Sequence, residues 1–434
     1  MATPNNRIIN IALLGLGKLG SGFYKILMDK QDKIKEETGF EIRLKKILIR
    51  NIHFKRPSFV DTSLLTTEIS EIINDKSISI AIDAIGGIEP TFSIIKQLLN
   101  NKVNIISANR TLLASKMHEL ADLANKNKVH ILPEASLGGG IPIIGTLQRD
   151  LVANKIHSVI GILSGTSNFI LSEMTRLGIS LKEALKISEI QKMSESISVI
   201  DYEGSDAAQK VSIIAAAAFG IDFKYLHIHA EGIADVDVSD IRYAKEFGYE
   251  FKLLAILRDH HESFEIHVHP TLVPNDHPLV TVRGEYNAFL IQTDLMGNYI
   301  IYGKGVGIEA ACSLIVRDIV SLAGTIFQES KKESYNLNWN DKPVLDINDI
   351  ISSYYIRFPC HDKPGVIGLI TTKLGEFKIN IGSAHAEIDT KSASQLGYVH
   401  IFVDNAREKD VLTAIKYISG LNIIRDRIKY FRIL

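Results

Sequence analysis

Two residues of opposite charge, Asp206 and Lys210, stand four positions apart in a segment that the sequence predicts to be helical. Residues four apart share one face of a helix, so the carboxylate and the amine can meet. A lysine amine can take or give the proton of a hydroxyl group while hydride leaves the adjoining carbon. A solvated ion pair has the same spacing, so the spacing alone leaves both interpretations open.

A glycine pattern near the N-terminus predicts a dinucleotide site. It follows the predicted strand Ile8–Leu14, opens a helix and consists of Gly15, Leu16, Gly17, Lys18, Leu19 and Gly20. The first glycine makes a tight turn, the second lets the backbone approach a pyrophosphate, and the third lets the helix pack closely on the strand. The helix N-terminus adds amide donors for the anion. A glycine-rich turn without a ligand is the alternative.

The end of the second predicted strand bears on the choice of cofactor. An acid there would bind the ribose 2′-hydroxyl of NAD, but the strand ends in Arg50 and Asn51, with Lys55 and Arg56 soon after. Cations suit a 2′-phosphate, so the sequence favours NADP. NAD stays open, because an arginine in a solvated loop is common.

Short strands alternate with helices as far as Pro133, the order that gives a doubly wound parallel sheet of the Rossmann type. We therefore predict an α/β protein with a Rossmann domain at 1–133 and an α+β catalytic domain with an open mixed sheet at 134–327. The latter includes a helix at 238–257, and a last helix, 308–327, that can return to the Rossmann domain. A polar linker, 328–351, leads to a β-α-β-β-α-β unit of ferredoxin-like type at 352–434.

Composition narrows the class of protein. The 434 residues are 46% hydrophobic and 23% charged, with a net charge of −1. Without a basic block we expect no nucleic-acid partner, and the apolar runs predict no membrane span. The N-terminus lacks a signal pattern and the two cysteines, Cys312 and Cys360, predict buried thiols in a reducing compartment, so cytoplasm is expected. We predict His267 and His269 to be surface residues.

Several segments of the sequence resemble homoserine dehydrogenases. They are 15–22, 85–90, 107–110, 133–144, 161–171, 203–210 and 302–307. The resemblance implies NAD(P)-dependent interconversion of L-homoserine and L-aspartate 4-semialdehyde, in the synthesis of threonine, methionine and isoleucine.

The resemblance also assigns residues. Lys210 becomes the acid/base, Asp206 orients it and helps bind substrate, and Glu195 binds the substrate ammonium. A lysine with its ordinary pKa of about 10.4 is a poor base at neutral pH, so burial and a neighbouring cation, Arg110, are expected to favour the neutral amine. Thr166 and Asn168 are the further substrate contacts implied. The further cofactor contacts are Gly86, Ser107, Arg110 and Gly303.

A glycine turn resembles the family's sodium site. Glu134 would give a side-chain oxygen, and Leu137, Gly139 and Ile141 would give carbonyl oxygens, a set that suits a hard cation. A glycine turn capped by a buried glutamate is the alternative.

The C-terminal unit resembles an ACT domain, a module that commonly binds amino acids at paired interfaces. Its turn from first strand to first helix holds Asp362 and Gly365, with a proline between them. In a homoserine dehydrogenase this implies feedback inhibition by threonine. The family resemblance also implies a homo-oligomer, a dimer or tetramer, that pairs through the sheet of the catalytic domain. A role in oligomerisation alone is the alternative.

Some positions depart from the family pattern, and they fall near the cofactor and substrate. They are Lys18, Arg110, Lys192, Ser196, Ile197, Ser198 and Lys304. Arg110 replaces a lysine and cannot lose its proton, which excludes a proton-transfer role there. Two alternatives therefore stay open: a related oxidoreductase acting on another small amino-acid aldehyde or alcohol, and a weakly active, cofactor-binding regulatory protein.

Overall fold

The computed structural model describes residues 7–190, 202–328, 339–388 and 396–434. Lys192, Glu195 and residues 196–198 lie outside the described residues. The chain divides into two compact units. The first contains Met1–Thr166, Asp206–Ile228 and Glu285–Lys342, and the second contains Ser167–Ser205, His229–Gly284 and Pro343–Leu434. The predicted domains are consecutive in sequence, whereas each unit gathers distant stretches.

The strands, in chain order, are β1 Arg7–Leu14, β2 Phe40–Leu48, β3 Leu65–Thr66, β4 Ile78–Asp83, β5 Asn104–Ser107, β6 Ile131–Leu132, β7 Ile156–Ile162, β8 His229–Ala230, β9 Tyr249–Asp259, β10 Phe264–Pro274, β11 Tyr286–Thr293, β12 Asn298–Lys304, β13 Ile351–His361, β14 Ile381–Ile388, β15 Leu396–Arg407 and β16 Lys429–Ile433. The helices are α1 Lys18–Thr38, α2 Ile69–Asn74, α3 Thr91–Asn100, α4 Arg110–Asn127, α5 Ile143–Gly145, α6 Gly165–Leu177, α7 Leu181–Ile190, α8 Ser205–Phe219, α9 Val238–Glu246, α10 Ile308–Gln328, α11 Val366–Glu376 and α12 Glu408–Ser419.

The first unit contains a six-stranded parallel sheet in the order β3-β2-β1-β4-β5-β6. This is the strand order of a doubly wound dinucleotide-binding sheet and confirms the predicted Rossmann fold. The central strands are runs of buried apolar residues, because helices cover both faces of a parallel sheet. In the same unit β11 pairs antiparallel with β7 and β12.

Helix α10 is long and apolar enough to count as a candidate membrane span by length and composition, although the apolar runs of the sequence predicted no such span. Its residues Cys312, Ile315, Ile319 and Leu322 are buried in the core that also holds β1 and α1. It therefore packs as a core helix against the parallel sheet's domain. Cys312 and Cys360 are both buried free thiols, as predicted.

In the second unit the C-terminal segment continues the sheet of an earlier segment. Strand β10 pairs antiparallel with β9 and parallel with β16, and β16, β13, β15 and β14 follow in that order. The segment from β13 to β16 has the order β-α-β-β-α-β. Its last strand is thus hydrogen-bonded to a strand that precedes it by about 160 residues of sequence.

Two sequence predictions in this unit are wrong. The predicted helix 238–257 ends at Glu246, since Gly248 has a φ of +85° and Tyr249–Asp259 forms a strand. A short apolar run reads alike for a buried strand and a buried helix, which explains the error. His267 and His269 are 2% and 1% exposed rather than on the surface, because β10 lies inside the sheet.

Candidate active site

The glycine turn between β1 and α1 contains two glycines that the fold itself requires. Gly15 has a φ of +94°, and a Cβ atom built on it would lie 2.8 Å from the Ala84 carbonyl oxygen. A Cβ atom on Gly20 would lie 2.2 Å from the Gly15 carbonyl oxygen. These glycines therefore allow the close packing of strand and helix.

Gly17 differs from both. A Cβ atom on Gly17 would meet no described atom within 4 Å, and the residue is the N-cap of α1. The space beside it is open, at the helix end whose amides and dipole attract anions. Leu16 is buried in the core and Lys18 is exposed, so the turn offers mainly backbone to this space. The residues present fit a pyrophosphate.

A buried acid that sequence reasoning missed lies at the carboxyl ends of β4 and β5, the edge where doubly wound sheets bind ligands. Asp83 accepts a hydrogen bond from the Ser107 hydroxyl at 2.8 Å and one from the Ile85 amide at 3.0 Å. Burial raises the pKa of Asp83 to about 7. The hydroxyl of Ser107, a predicted cofactor residue, is thus hydrogen-bonded to a carboxyl group. Gly86, in the loop after β4, is exposed.

The loop after β2 presents the cations that were predicted to meet a 2′-phosphate. Arg50 is exposed, and Arg56 donates to the Asn51 carbonyl oxygen at 3.2 Å. The His53 amide donates to the Asn51 side-chain oxygen at 2.8 Å. Asn51 thus organises the loop that carries Arg50.

Helix α8 brings Asp206 and Lys210 together, as their spacing predicts. The Lys210 Nζ lies 2.8 Å from Asp206 Oδ2 and donates to the Leu163 carbonyl oxygen at 2.6 Å. Arg110, the first residue of α4, contacts the other oxygen of Asp206, and its Nε donates to the Ser136 carbonyl oxygen at 2.9 Å. We call Arg110, Asp206 and Lys210 the catalytic cluster, after the role that is proposed for it below.

The electrostatics of the catalytic cluster favour an ionised aspartate. Lys210 is 5% exposed and Asp206 is 8% exposed. Burial raises the pKa of Asp206, but the charges and hydrogen bonds of Lys210 and Arg110 lower it by a larger amount, so the net shift is downward. When Lys210 carries its proton, two cations flank one carboxylate, and the cluster has an excess of positive charge.

A second residue that the sequence did not reveal, Asn287, lies at the start of β11. Its Nδ2 donates to the Leu163 carbonyl oxygen at 3.2 Å, so it shares an acceptor with Lys210. Its Oδ1 is buried, with no hydrogen-bond partner among the described residues, and a Cβ atom on Gly305 would lie 2.2 Å from it. No motif marks this asparagine, because the contact joins residues 124 positions apart.

The glycine run Gly138–Gly140 packs between the catalytic cluster and the end of β12. A Cβ atom on Gly138 would lie 3.0 Å from Arg110 Nη2, and one on Gly139 would lie 2.4 Å from the Lys304 carbonyl oxygen. The Gly140 amide donates to that same oxygen at 3.0 Å. At the divergent position 304 the backbone makes the contact, while the lysine side chain is exposed. Nearby, a Cβ atom on Gly303 would lie 3.2 Å from Ile141 Cγ1.

Glu134, predicted as a sodium ligand, is 2% exposed and already has several donors. Its two oxygens accept from the Ile144 and Gly145 amides, each at 2.8 Å, and Arg317 donates to one of them at 3.0 Å. These contacts stabilise the carboxylate by capping α5 and by pairing it with a cation. The Glu134 side chain therefore fits a metal ion poorly, although the carbonyls of Leu137, Gly139 and Ile141 remain oxygen donors by type.

The two predicted substrate contacts fall in different units. Thr166 is buried in the first unit. Asn168 belongs to the second unit, where its Nδ2 donates to the carbonyl oxygens of Val282 at 3.3 Å and Gly284 at 3.1 Å. The amide of Asn168 thus holds the loop that precedes β11.

The predicted regulatory residues line a cleft of about 590 Å³ in the second unit. Asp362 and Gly365 form one wall, and Glu387 and Tyr398, from β14 and β15, contribute to the other. Gly365 has a φ of +88° and is the N-cap of α11, so the chain turns sharply into that helix.

Comparison with known proteins agrees with this geometry. The family model for homoserine dehydrogenase matches residues 142–320, and the model for the NAD-binding domain of homoserine dehydrogenase matches residues 15–134. A homoserine dehydrogenase from Synechocystis is 33% identical, with 98% of this chain and 99% of the relative covered. One from Helicobacter pylori is 34% identical, with 98% and 99% covered.

Solved structures give the same result. The crystal structure of a homoserine dehydrogenase from Thiobacillus denitrificans superimposes with a TM-score of 0.90 at 32% identity, covering 99% of this chain and 98% of that one. A relationship at this identity and over this length includes both the dinucleotide turn and the catalytic cluster. The chain therefore belongs to the homoserine dehydrogenase family of NAD(P)-dependent oxidoreductases.

Proposed function

We propose that the chain interconverts L-homoserine and L-aspartate 4-semialdehyde with NADP, and that Lys210 moves the proton. The observation that carries this proposal is the buried contact of Lys210 Nζ with Asp206 Oδ2 and the Leu163 carbonyl oxygen, at 2.8 and 2.6 Å. These two acceptors fix the position of the amine beside Asp206. Such positioning is what general acid/base catalysis requires.

In the oxidative direction the neutral amine of Lys210 accepts the hydroxyl proton as the C–H bond breaks. A bound nicotinamide would supply the acceptor for the hydride, and its reduced form would supply the hydride in the reverse direction. In the reductive direction the Lys210 ammonium returns a proton to the carbonyl oxygen. Asp206 orients Lys210 and, held by Arg110, keeps its own charge. Glu195 is proposed, from the family resemblance, to hold the substrate ammonium.

The proposed preference for NADP rests on the loop after β2. Arg50 is exposed there, and the strand ends without an acid that would bind a ribose 2′-hydroxyl. The backbone at Gly17 and the start of α1 would hold the pyrophosphate. Gly86, Ser107 and Gly303 are proposed to line the rest of the cofactor site.

We propose further that residues 352–434 form an ACT domain that senses an amino acid, threonine by family resemblance. The sheet order β16-β13-β15-β14 with two helices supports a ferredoxin-like unit. The cleft at Asp362 and Gly365 would hold the effector, whose carboxylate suits the amides at the start of α11. A homo-oligomer and a cytoplasmic location stay predictions, and we propose no step through a sodium ion.

One assay tests the proposal for the reaction. Purified chain is given homoserine, and separately serine and 4-hydroxybutyrate, with NADP or NAD, while the reduced cofactor is followed by absorbance. We expect oxidation of homoserine with the higher kcat/KM for NADP. Faster oxidation of another alcohol would favour the related oxidoreductase, and binding of cofactor with no turnover would favour the regulatory protein.

A second assay tests the regulation. Allostery requires that threonine bind two states of the enzyme unequally, so millimolar threonine should lower turnover and Asp362→Ala should weaken that response. Asp410→Ala, on the exposed side of α12, is the matched control. Deleting the domain is a poor test, because β16 pairs with β10 and its removal would expose a sheet edge. Unchanged turnover together with no heat of threonine binding would contradict the assignment.

A further inference from the structure

An ionic cluster, buried at Arg432 and Glu408 and half-buried at Glu231, joins the last strand of the chain to a short segment after β8. Arg432 on β16 is 2% exposed and donates through Nε and Nη2 to Glu408, at 2.9 and 2.6 Å. The same Nη2 donates to Glu231 at 2.9 Å. We call Arg432, Glu408 and Glu231 the strand-end cluster.

The strand-end cluster is closed by further partners. The Tyr354 hydroxyl donates to Glu408 at 2.7 Å, and His229 Nε2 lies 2.6 Å from Glu231. Although burial raises the pKa of Glu231, the hydrogen bond of His229 and the charge of Arg432 lower it to about 2. These partners favour the charged form of Glu231, which Arg432 contacts.

The backbone beside Glu231 packs so closely on a neighbouring segment that two positions require glycine. A Cβ atom on Gly232 would lie 2.0 Å from the Tyr202 carbonyl oxygen and 2.4 Å from the Glu203 Cα. A Cβ atom on Gly204, whose φ is +87°, would lie 2.8 Å from the Glu231 carbonyl oxygen. The Ile233 amide also donates to the Tyr202 carbonyl oxygen, at 2.8 Å. Residues 231–233 thus pack directly on residues 202–204.

Residues 202–204 are the lead into helix α8, which begins at Ser205. Asp206 is the second residue of that helix, and Lys210 follows one turn later. A shift of the lead would rotate or translate the first turn of α8, because the helix is continuous with it. Misplacement of a catalytic group by about 1 Å can cost as much as a hundredfold in rate.

We propose that Arg432 is a positioning residue for the reaction: by holding Glu231, the C-terminal strand fixes the lead 202–204 and so the place of Asp206 and Lys210. The inference rests on the roles proposed for those two residues. It assigns to the C-terminal domain a part in basal turnover, separate from any effector that the domain binds.

The test compares Glu231→Gln and Arg432→Lys with a matched control, Arg357→Lys. Arg357 is also a buried arginine of the C-terminal segment, and its Nη2 lies 2.9 Å from Asp240 and 3.2 Å from Asp237, both at the start of α9 rather than at the lead. Turnover with homoserine, KM for cofactor, the pH profile of kcat and Tm are measured for each. Lys210→Ala is measured alongside.

We expect Glu231→Gln to lower kcat about tenfold and to move a limb of the pH profile, while KM for cofactor changes less than about twofold. Arg432→Lys, which keeps one charged contact, should lose less. Arg357→Lys should lower Tm but leave kcat and the pH profile unchanged.

Two results would overturn the inference. One is a folded Glu231→Gln enzyme with normal kcat and pH profile; the other is an equal loss of kcat in Arg357→Lys. Glu231→Gln keeps the buried Arg432–Glu408 pair, so it gives an answer even if the Arg432 variant does not fold. If Lys210→Ala itself retains turnover, the proposed mechanism fails instead, and the two failures are distinct.

Discussion

The catalytic cluster and the strand-end cluster each combine buried and half-buried side chains, and in both an arginine contacts a carboxylate, but their charges are arranged differently. Asp206 lies between two cations, Arg110 and Lys210, whereas Arg432 lies between two carboxylates that His229 and Tyr354 also contact. In the first arrangement Lys210 is proposed to gain and lose a proton, and its protonated form gives the cluster an excess of positive charge. In the second arrangement two carboxylates share one arginine, and the cluster serves to fix geometry. The two clusters thus differ in whether one of their groups is proposed to exchange a proton with substrate.

The largest expected effect is at Lys210. Lys210→Ala should lower turnover by at least about a hundredfold, the usual scale for a lost general base, while cofactor affinity stays within about twofold. Turnover is measured with saturating homoserine, and affinity by the fluorescence of bound reduced cofactor. Near-normal turnover would mean that the catalytic cluster, like the strand-end cluster, only fixes geometry.

Asn287 sharpens the contrast by testing the carbonyl that Lys210 uses. Asn287→Ala removes the second donor to the Leu163 carbonyl oxygen. The carbonyl that accepts from the Lys210 amine is then held less firmly, so kcat should fall about tenfold. The exposed Asn298→Ala on the neighbouring strand is the control. If both variants have the same kcat, Asn287 holds the strand ends and nothing more.

Short-range sequence patterns predicted part of the fold and of the site, whereas long-range packing decided the rest. The turn at Gly15–Gly20 and the pair Asp206 and Lys210 were predictable, because each depends on residues within one strand-turn-helix or one helical turn. Asn287, Asp83 and Arg432 were not, because their partners are distant in sequence. The helix predicted at 238–257 failed since a buried strand and a buried helix have the same apolar composition.

A substitution at Arg50 is expected to change cofactor selection, and the effect should be smaller than the losses of turnover at Lys210 and Asn287. Arg50→Glu should raise KM for NADP about fivefold more than KM for NAD, because a carboxylate then faces the 2′-phosphate. The control is Arg43→Glu, which lies on β2, the strand before Arg50, and away from its carboxyl end. Equal changes for both cofactors would remove Arg50 from the cofactor site.

Asp83 is a buried acid in a different setting, since its described partners are a hydroxyl and an amide instead of cations. Its pKa is raised from 3.8 to about 7 by burial, so it keeps its proton in the folded protein where the unfolded chain loses it. The free energy of unfolding should therefore fall as the pH rises from about 4 through 7. Asp83→Asn should flatten this fall in urea titrations at pH 5 and pH 8. An unchanged slope would mean that Asp83 is ionised in the native state.

Chemical rescue of Lys210→Ala tests the central claim most directly, because it separates proton transfer from charge. Turnover of the variant is measured with homoserine and NADP in added methylamine or ethylamine, and in tetramethylammonium chloride at equal ionic strength. If Lys210 moves the proton, the primary amines should raise the rate about tenfold or more, increasingly so at higher pH in the oxidative direction, and tetramethylammonium should not. Equal rescue by tetramethylammonium, or a variant that needs no rescue, would contradict the account.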